Sequence, residues 1–319
     1  MRCTTAFMTA ALAFATLSAA TTARAETDAE IEQVVRRHVQ PMLIAAGGMA
    51  VALHIDGRTL LFNYGMADVA RKQPITSDSL FNLASVGKAF IATLLAQAVK
   101  QGEVSLDDPV AKYVTELQQG GEIRKVTLGQ LASHTSGLTR TPQQSEQGHR
   151  GPYKLADFIR YLNTWQADAA HAPGKQDIYS NTGFVLLSLA LQRRFNTPIA
   201  QLMEERLLAP LGMTSTALPD NAPLQAAMAF AQQGVFTVGP RFTQALAWQR
   251  VKNDGLELVD KNGGLNNTAT YIGMIPQRRL GIVILSNCGG EPATRIGRQI
   301  MLALARSPAL VSEHGHKGD

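Results

Sequence analysis

The sequence predicts an α/β (α+β) fold. An antiparallel sheet is built from both ends of the chain and flanked by helices, and a mainly helical lobe is inserted between its two halves. Three observations carry this. Met49–Ile55 and Thr59–Tyr64 are short β-prone runs on either side of Asp56-Gly57, which is a hairpin signal. Leu256–Asp260, Thr268–Ile275 and Leu280–Leu285 form a second group of strand-like runs, and an amphipathic helix, Pro292–Ala305, follows them. Between the two groups the chain reads as helices joined by irregular loops.

Taken in order, residues 1–25 look like a secretory signal peptide. Arg2 is basic, residues 6–20 are apolar, and Ala23-Arg24-Ala25 is a small-residue cleavage site. One domain is expected over 26–306, with a polar, disordered tail at 307–319. Glu26–Ile44 repeats apolar residues at helical spacing (Ile31, Val35, Val39) and ends at Gly47-Gly48. After the first hairpin, a polar loop over 68–79 leads to Ser85 and the apolar run Ala89–Val99, a helix stopping at Gly102. The helical lobe is expected over about 103–250. It contains short helices near Pro109 and over Thr127–Ser133, a surface loop at 139–153, and helices over Leu155–Trp165, Gly183–Arg194 and Ile199–Leu208. Residues 216–250 give no clear pattern.

Composition removes several classes of function. Of 319 residues, 45% are hydrophobic and 17% charged, which is globular rather than disordered. The chain carries five more basic than acidic side chains, and Arg2 and Arg24 of the leader supply two of them. The remaining excess is small and scattered, so no nucleic-acid partner is expected. No stretch of the mature chain is apolar for long enough to span a bilayer. Cys3 leaves with the leader, so Cys288 alone remains and no internal disulfide is expected. Cys288 follows an apolar run without a nearby histidine and reads as a strand-end thiol rather than a nucleophile. No histidine pair or Cys/His cluster has metal-ligand spacing, so neither a metal nor another cofactor is expected.

The chemistry-bearing stretch is Phe81–Lys88, which contains Ser85-x-x-Lys88 before the apolar run. Residues three apart share a helix face, so the Lys88 amine stands beside the Ser85 hydroxyl. A serine hydroxyl attacks a carbonyl only when a neighbouring base takes its proton. A lysine serves as that base where burial or nearby positive charge favours its neutral form. Ser-x-x-Lys alone is a weak signal, equally compatible with an ordinary helix start and a solvated lysine. The order of three short motifs strengthens it: Ser85-x-x-Lys88, then Tyr179-x-Asn181, then Lys261-Asn262-Gly263. His134 is a tempting base, but a base must reach the nucleophile. Neither Ser85 nor Ser136 has the flanking glycines of a Gly-x-Ser-x-Gly elbow.

With these motifs the chain resembles the class C β-lactamases and their relatives among the D-alanyl-D-alanine peptidases and serine esterases. Leu131–Leu138, Pro210–Met213 and Leu280–Asn287 match the family as well, and the likeness runs roughly from Ile31 to Leu304. The resemblance implies Ser85 as nucleophile, Lys88 as its base and Tyr179 as the carrier of a proton to the leaving nitrogen. It implies substrate contacts from Asn181, Lys261, Asn262, Gly263, Arg295 and Gln143, and a structural His134. The oxyanion would be held by the Ser85 N–H and one near Leu265 or Asn266. The expected partner is a small β-lactam or a cell-wall D-Ala-D-Ala peptide, met in the periplasm by a monomer.

Three departures stand out. Asn82, Ala84 and Gly87 replace the family's Glu, Gly and Ser around the nucleophile. Asn262 replaces a hydroxyl residue. Only 82 residues separate Tyr179 from Lys261, so a segment that usually walls the cleft is missing between about Asp220 and Ala245. Three readings follow: a class C-like β-lactamase, a carboxypeptidase or esterase on the same site, and a catalytically weak cell-wall-peptide-binding protein.

Overall fold

The computed structural model describes residues 27–45, 47–140, 154–213, 236–265, 268–288 and 292–307. In chain order, helix α1 (27–39) runs into a 3-10 turn, Gln40–Ala45. Strands β1 (Gly48–Ile55), β2 (Arg58–Asp68) and β3 (Gln73–Pro74) follow. Helices α2 (Gly87–Lys100), α3 (Leu128–Ala132), α4 (Leu155–Thr164), α5 (Asn181–Phe195) and α6 (Ile199–Met203) come next. Then come β4 (Phe236–Gly239), β5 (Phe242–Gln244), β6 (Gln249–Asn253) and β7 (Leu256–Leu265). The described chain closes with β8 (Thr268–Ile275), β9 (Leu280–Ser286) and α7 (Pro292–Ala305). The antiparallel sheet with flanking helices is the expected fold class. The chain divides into two compact units: one made of residues 1–82 and 264–319, the other of 83–263.

The first unit holds strands in the order β3-β2-β1-β9-β8, with every neighbouring pair antiparallel. The hairpin forms where Asp56-Gly57 places it. Both residues have positive φ, 49° and 75°, which a two-residue turn matching strand twist requires. Along β9, Leu280, Ile282, Ile284 and Ser286 are buried and the residues between them are not, a clean period of two. α7 packs on β8 and β9 with Ile296, Ile300, Met301 and Leu304 inward. Gly297 is needed there, since a Cβ at this position would meet Cδ1 of the buried Tyr271 at 2.2 Å. Asn287 ties strand ends together. Its Oδ1 accepts the Gly48 N–H at 2.6 Å, and its Nδ2 donates to the Met66 and Ala67 carbonyls at 2.9 and 3.1 Å. Cys288 is a free, half-buried cysteine just after β9.

The second unit is built around α2, which buries residues on several sides: Ala92, Leu94, Leu95, Ala96 and Ala98 are fully enclosed. α3 starts with a reciprocal capping box. The Thr127 hydroxyl accepts the Gln130 N–H, and the Gln130 side chain accepts the Thr127 N–H.

Two expectations need correction. The lobe is not helical over the described residues 236–250. Among its described residues, β4, β5 and β6 pair with one another and β6 pairs with β7. These strands are short, and Ala245–Trp248 between β5 and β6 forms a wholly buried turn with Ala247 at φ 60°. A buried apolar turn lacks the polar signature by which turns are read. Second, Ser85 does not sit in the first turn of α2. It lies in a one-turn 3-10 helix, Ala84–Val86, that leads into α2 at Gly87. Residues 1–25, Gln143, Asn266 and the tail beyond 307 lie outside the described residues, as does most of the stretch between Asp220 and Ala245.

Candidate active site

Ser85 is positioned by backbone geometry. Ala84, just before it, has φ 46°, a left-handed conformation unusual for alanine. The following 3-10 turn delivers Lys88 on the first turn of α2, with its Nζ 3.3 Å from Ser85 Oγ. The third member comes from 94 residues away: Tyr179 Oη lies 2.5 Å from Ser85 Oγ. Both serine partners are half-buried; Lys88 Nζ donates to Ser85 Oγ, and in the Ser85–Tyr179 bond either oxygen could be the donor.

Tyr179 is held by the segment before it in space, 133–140. The Ser180 N–H donates to His134 Nδ1 at 3.1 Å, and the Ile178 N–H donates to the His134 carbonyl at 2.7 Å. Ser180 caps α5, its Oγ accepting the Gly183 N–H and donating to the Thr139 carbonyl, both at 2.8 Å. The Asn181 N–H donates to the Arg140 carbonyl at 2.9 Å. His134 is therefore occupied. Burial, then the charges of Lys261 and Lys88, push its pKa down to about 2. Its Nδ1 lone pair is engaged, so the neutral ring carries its proton on Nε2, which has no hydrogen-bond partner among the described residues. Its ring centroid lies 4.5 Å from that of Tyr179 and 5.0 Å from that of Phe184.

Three cations surround the tyrosine. The Nζ atoms of Lys88 and Lys261 are each 5.1 Å from its ring centroid, and the Arg140 guanidinium carbon is 5.4 Å away. Lys261, on β7, is only 2% exposed. Burial, reinforced by the charge of Lys88 and partly opposed by Asp177 and Asp260, brings its pKa down to about 8. Burial raises the pKa of Asp177, and Lys261 draws it back. The next residue, Asn262, is exposed and Gly263 is buried, as the strand pleat alternates sides.

The structure thus brings Ser85, Lys88, Tyr179 and Lys261 into one cluster. The Asn181 side chain and Lys88 line the same trough beside α5. Arg295 belongs to the first unit, on α7, with its Nη2 3.6 Å from Met42 Sδ. Sequence reasoning missed Arg140 and Asp177, which carry no motif and become neighbours only through folding. Among the described residues, no group of His, Cys, Asp and Glu could hold a metal ion, and no helix is long and apolar enough to cross a membrane.

Comparison with known proteins follows the same lines. The family profile described as beta-lactamase matches residues 35–234. A beta-lactamase of Pseudomonas fluorescens is 26% identical over 84% of this chain and 96% of its own length. One of Escherichia coli K12 is 32% identical over 59% of this chain, and the match spans only 48% of that relative. Among solved structures, a class C beta-lactamase superposes with a TM-score of 0.76 at 23% identity, over 86% of this chain and 96% of its own. A D-alanine carboxypeptidase from Burkholderia cenocepacia gives a TM-score of 0.73 at 26% identity, over 87% of this chain and all of its own.

Proposed function

Since the chain belongs to the beta-lactamase family of serine hydrolases, we propose that it is a periplasmic, monomeric, class C-like β-lactamase acting through an acyl-enzyme on Ser85. The observation that carries this reading is one serine oxygen with two titratable side chains at hydrogen-bond distance. Ser85 Oγ has Tyr179 Oη at 2.5 Å and Lys88 Nζ at 3.3 Å, beside a buried Lys261. Ser85 attacks the lactam carbonyl, and its proton passes to Lys88 or Tyr179. The ring C–N bond breaks and Tyr179 returns a proton to the nitrogen. Water then cleaves the acyl-serine and restores the hydroxyl. The nearby cations favour the negative charge that develops during attack, and Lys261 attracts the substrate carboxylate. Asn181 binds the substrate's side-chain amide. Asn262, Gly263, Arg295 and Gln143 complete the proposed substrate contacts, and residues 1–25 direct export.

Intact-protein mass after mixing with a penicillin tests this reading. A stoichiometric adduct on the parent protein and none on Ser85→Ala is expected. An adduct on Ser85→Ala would overturn it. With a chromogenic cephalosporin, a rapid burst and then slow turnover are expected, because deacylation tolerates little misplacement of the acyl group. A second reading, a D-alanyl-D-alanine carboxypeptidase, is favoured by the Burkholderia neighbour. Release of D-alanine from a peptide ending in D-Ala-D-Ala, faster than cephalosporin hydrolysis, would select it.

A further inference from the structure

His134 is the least expected residue of the segment that holds Tyr179. Its φ of 61° is a left-handed conformation that glycine and asparagine take more readily, and its side chain is only 1% exposed. Such a conformation persists where the surrounding structure enforces it. Backbone bonds tie the chain down on both sides of it. The Ala132 carbonyl accepts the Ala247 N–H at 2.8 Å, the Thr135 N–H donates to the Gln130 carbonyl at 3.0 Å, and the Thr135 carbonyl accepts the Gly174 N–H at 2.7 Å. From this fixed point His134 grips the two residues that flank Tyr179. Its carbonyl accepts the Ile178 N–H at 2.7 Å, and its Nδ1 accepts the Ser180 N–H at 3.1 Å. Any residue at 134 could supply the first bond. The second needs a side-chain acceptor placed as Nδ1 is.

Two further observations separate this role from packing. Burial and the charges of Lys261 and Lys88 keep the imidazole neutral, so Nδ1 retains its lone pair for the Ser180 N–H. The other nitrogen, Nε2, is buried without a partner among the described residues. An unpaired buried donor is unfavourable, and an apolar ring would fill the same space beside Tyr179 and Phe184 without one. The chain of contacts then runs from Nδ1 through Ser180 to Tyr179, whose Oη lies 2.5 Å from Ser85 Oγ. We propose that His134 is the positioning residue of Tyr179: the bond from the Ser180 N–H to Nδ1 sets where the phenol oxygen meets Ser85, and through it the rate of acylation. The proposal rests on the assignment of Ser85 as nucleophile and goes beyond it by naming the group that holds the nucleophile's partner in register.

Two variants separate the bond from the ring. His134→Asn loses the ring but keeps an acceptor one bond beyond Cγ, as Nδ1 is, and suits the left-handed backbone. His134→Phe keeps a ring and loses the acceptor. Since a misplacement of about 1 Å can cost a hundredfold, His134→Phe should form the penicillin adduct about 10²-fold more slowly than the parent. His134→Asn should stay within about tenfold of the parent. Repeating His134→Phe in a Tyr179→Phe background tests for a merely structural role. With no phenol oxygen left to place, the added substitution should change the adduct rate by less than about twofold. Equal slowing in both backgrounds would overturn the proposal, as would a His134→Asn protein as slow as His134→Phe. Nitrogen NMR of the parent labelled at histidine gives a readout that does not depend on how a variant folds. His134 should carry its proton on Nε2, with Nδ1 bare, throughout about pH 5 to 8. A proton on Nδ1 in that range would overturn the proposal. A parent protein that forms no adduct would remove the hydrolase reading and the positioning role with it. An adduct formed at one rate by the parent and His134→Phe would remove the role alone.

Discussion

The sheet of the first unit and the cluster around Ser85 in the second are built by opposite rules. In β9 every second residue is buried and apolar until Ser286, the Asp56-Gly57 turn takes the positive φ values that a two-residue hairpin needs, and α7 covers the face at helical spacing. Local preference and global packing agree there. Around Ser85 they disagree. Ala84 and His134 hold left-handed φ values of 46° and 61°, and a lysine is buried beside a second lysine. Such conformations and charges are unfavourable individually and persist where the surrounding structure enforces them. The lesson is that the sheet of the first unit follows its local pattern, whereas the second unit gathers charge around one serine oxygen against local preference.

If that is right, the largest effects fall on chemistry. Lys88→Ala and Tyr179→Phe should each slow acylation about 10²- to 10⁴-fold, the range for a positioned general base, with the Lys88 variant the slower. The double variant should be little worse than Lys88→Ala, because both act on one proton. Stopped-flow acylation rates decide it, and losses that multiply would show two independent devices.

Lys261→Met separates function from stability. The native pKa of about 8 lies below the unfolded value of 10.5, so burying the charged form costs about 3 kcal/mol below pH 8. Between pH 8 and 10.5 the unfolded chain binds the proton that the native chain has shed, so the parent gains stability as pH rises. Lys261→Met should therefore be more stable at pH 7 by up to about 3 kcal/mol, with the advantage fading by pH 10.5. Its kcat/KM should fall by orders of magnitude, and that of the parent should fall as pH rises through about 8. Urea melts at the two pH values test the first claim, since a destabilised variant would show that Lys261 holds the unit together.

Smaller effects probe the backbone of each region. Gly297→Ala sets a Cβ against buried Tyr271 and should destabilise by about 1–3 kcal/mol, as overpacking does. The smallest test exchanges two residues around Ser85. Ala84→Gly relieves a left-handed alanine, and Gly87→Ala adds a Cβ that meets nothing within 4 Å at φ −54°. Each should stabilise by up to about 1 kcal/mol. A loss of stability at Ala84→Gly in thermal melts would show that no strain is stored before Ser85.

The fold class was legible in the sequence because sheet and helix periodicities are local. The hairpin at Asp56-Gly57, the strands over 268–286 and the helix Pro292–Ala305 lie where their patterns place them. Ser85 and Lys88 were legible as a pair because three residues of chain bring them together. Tyr179 and Lys261 could be named from their motifs, but the approach of Tyr179 to Ser85 and of Lys261 to Tyr179 is a long-range contact that no local spacing encodes. The strands over 236–253 escaped notice because they are short and joined by a buried apolar turn. Arg140 and Asp177 escaped because an isolated charge has no period. By itself, then, the sequence determined the elements and the pairing of Ser85 with Lys88. The tertiary structure alone decided how charge gathers around Tyr179 and that burial lowers the pKa of Lys261 to about 8, because burial and electrostatic coupling depend on distances that only folding creates.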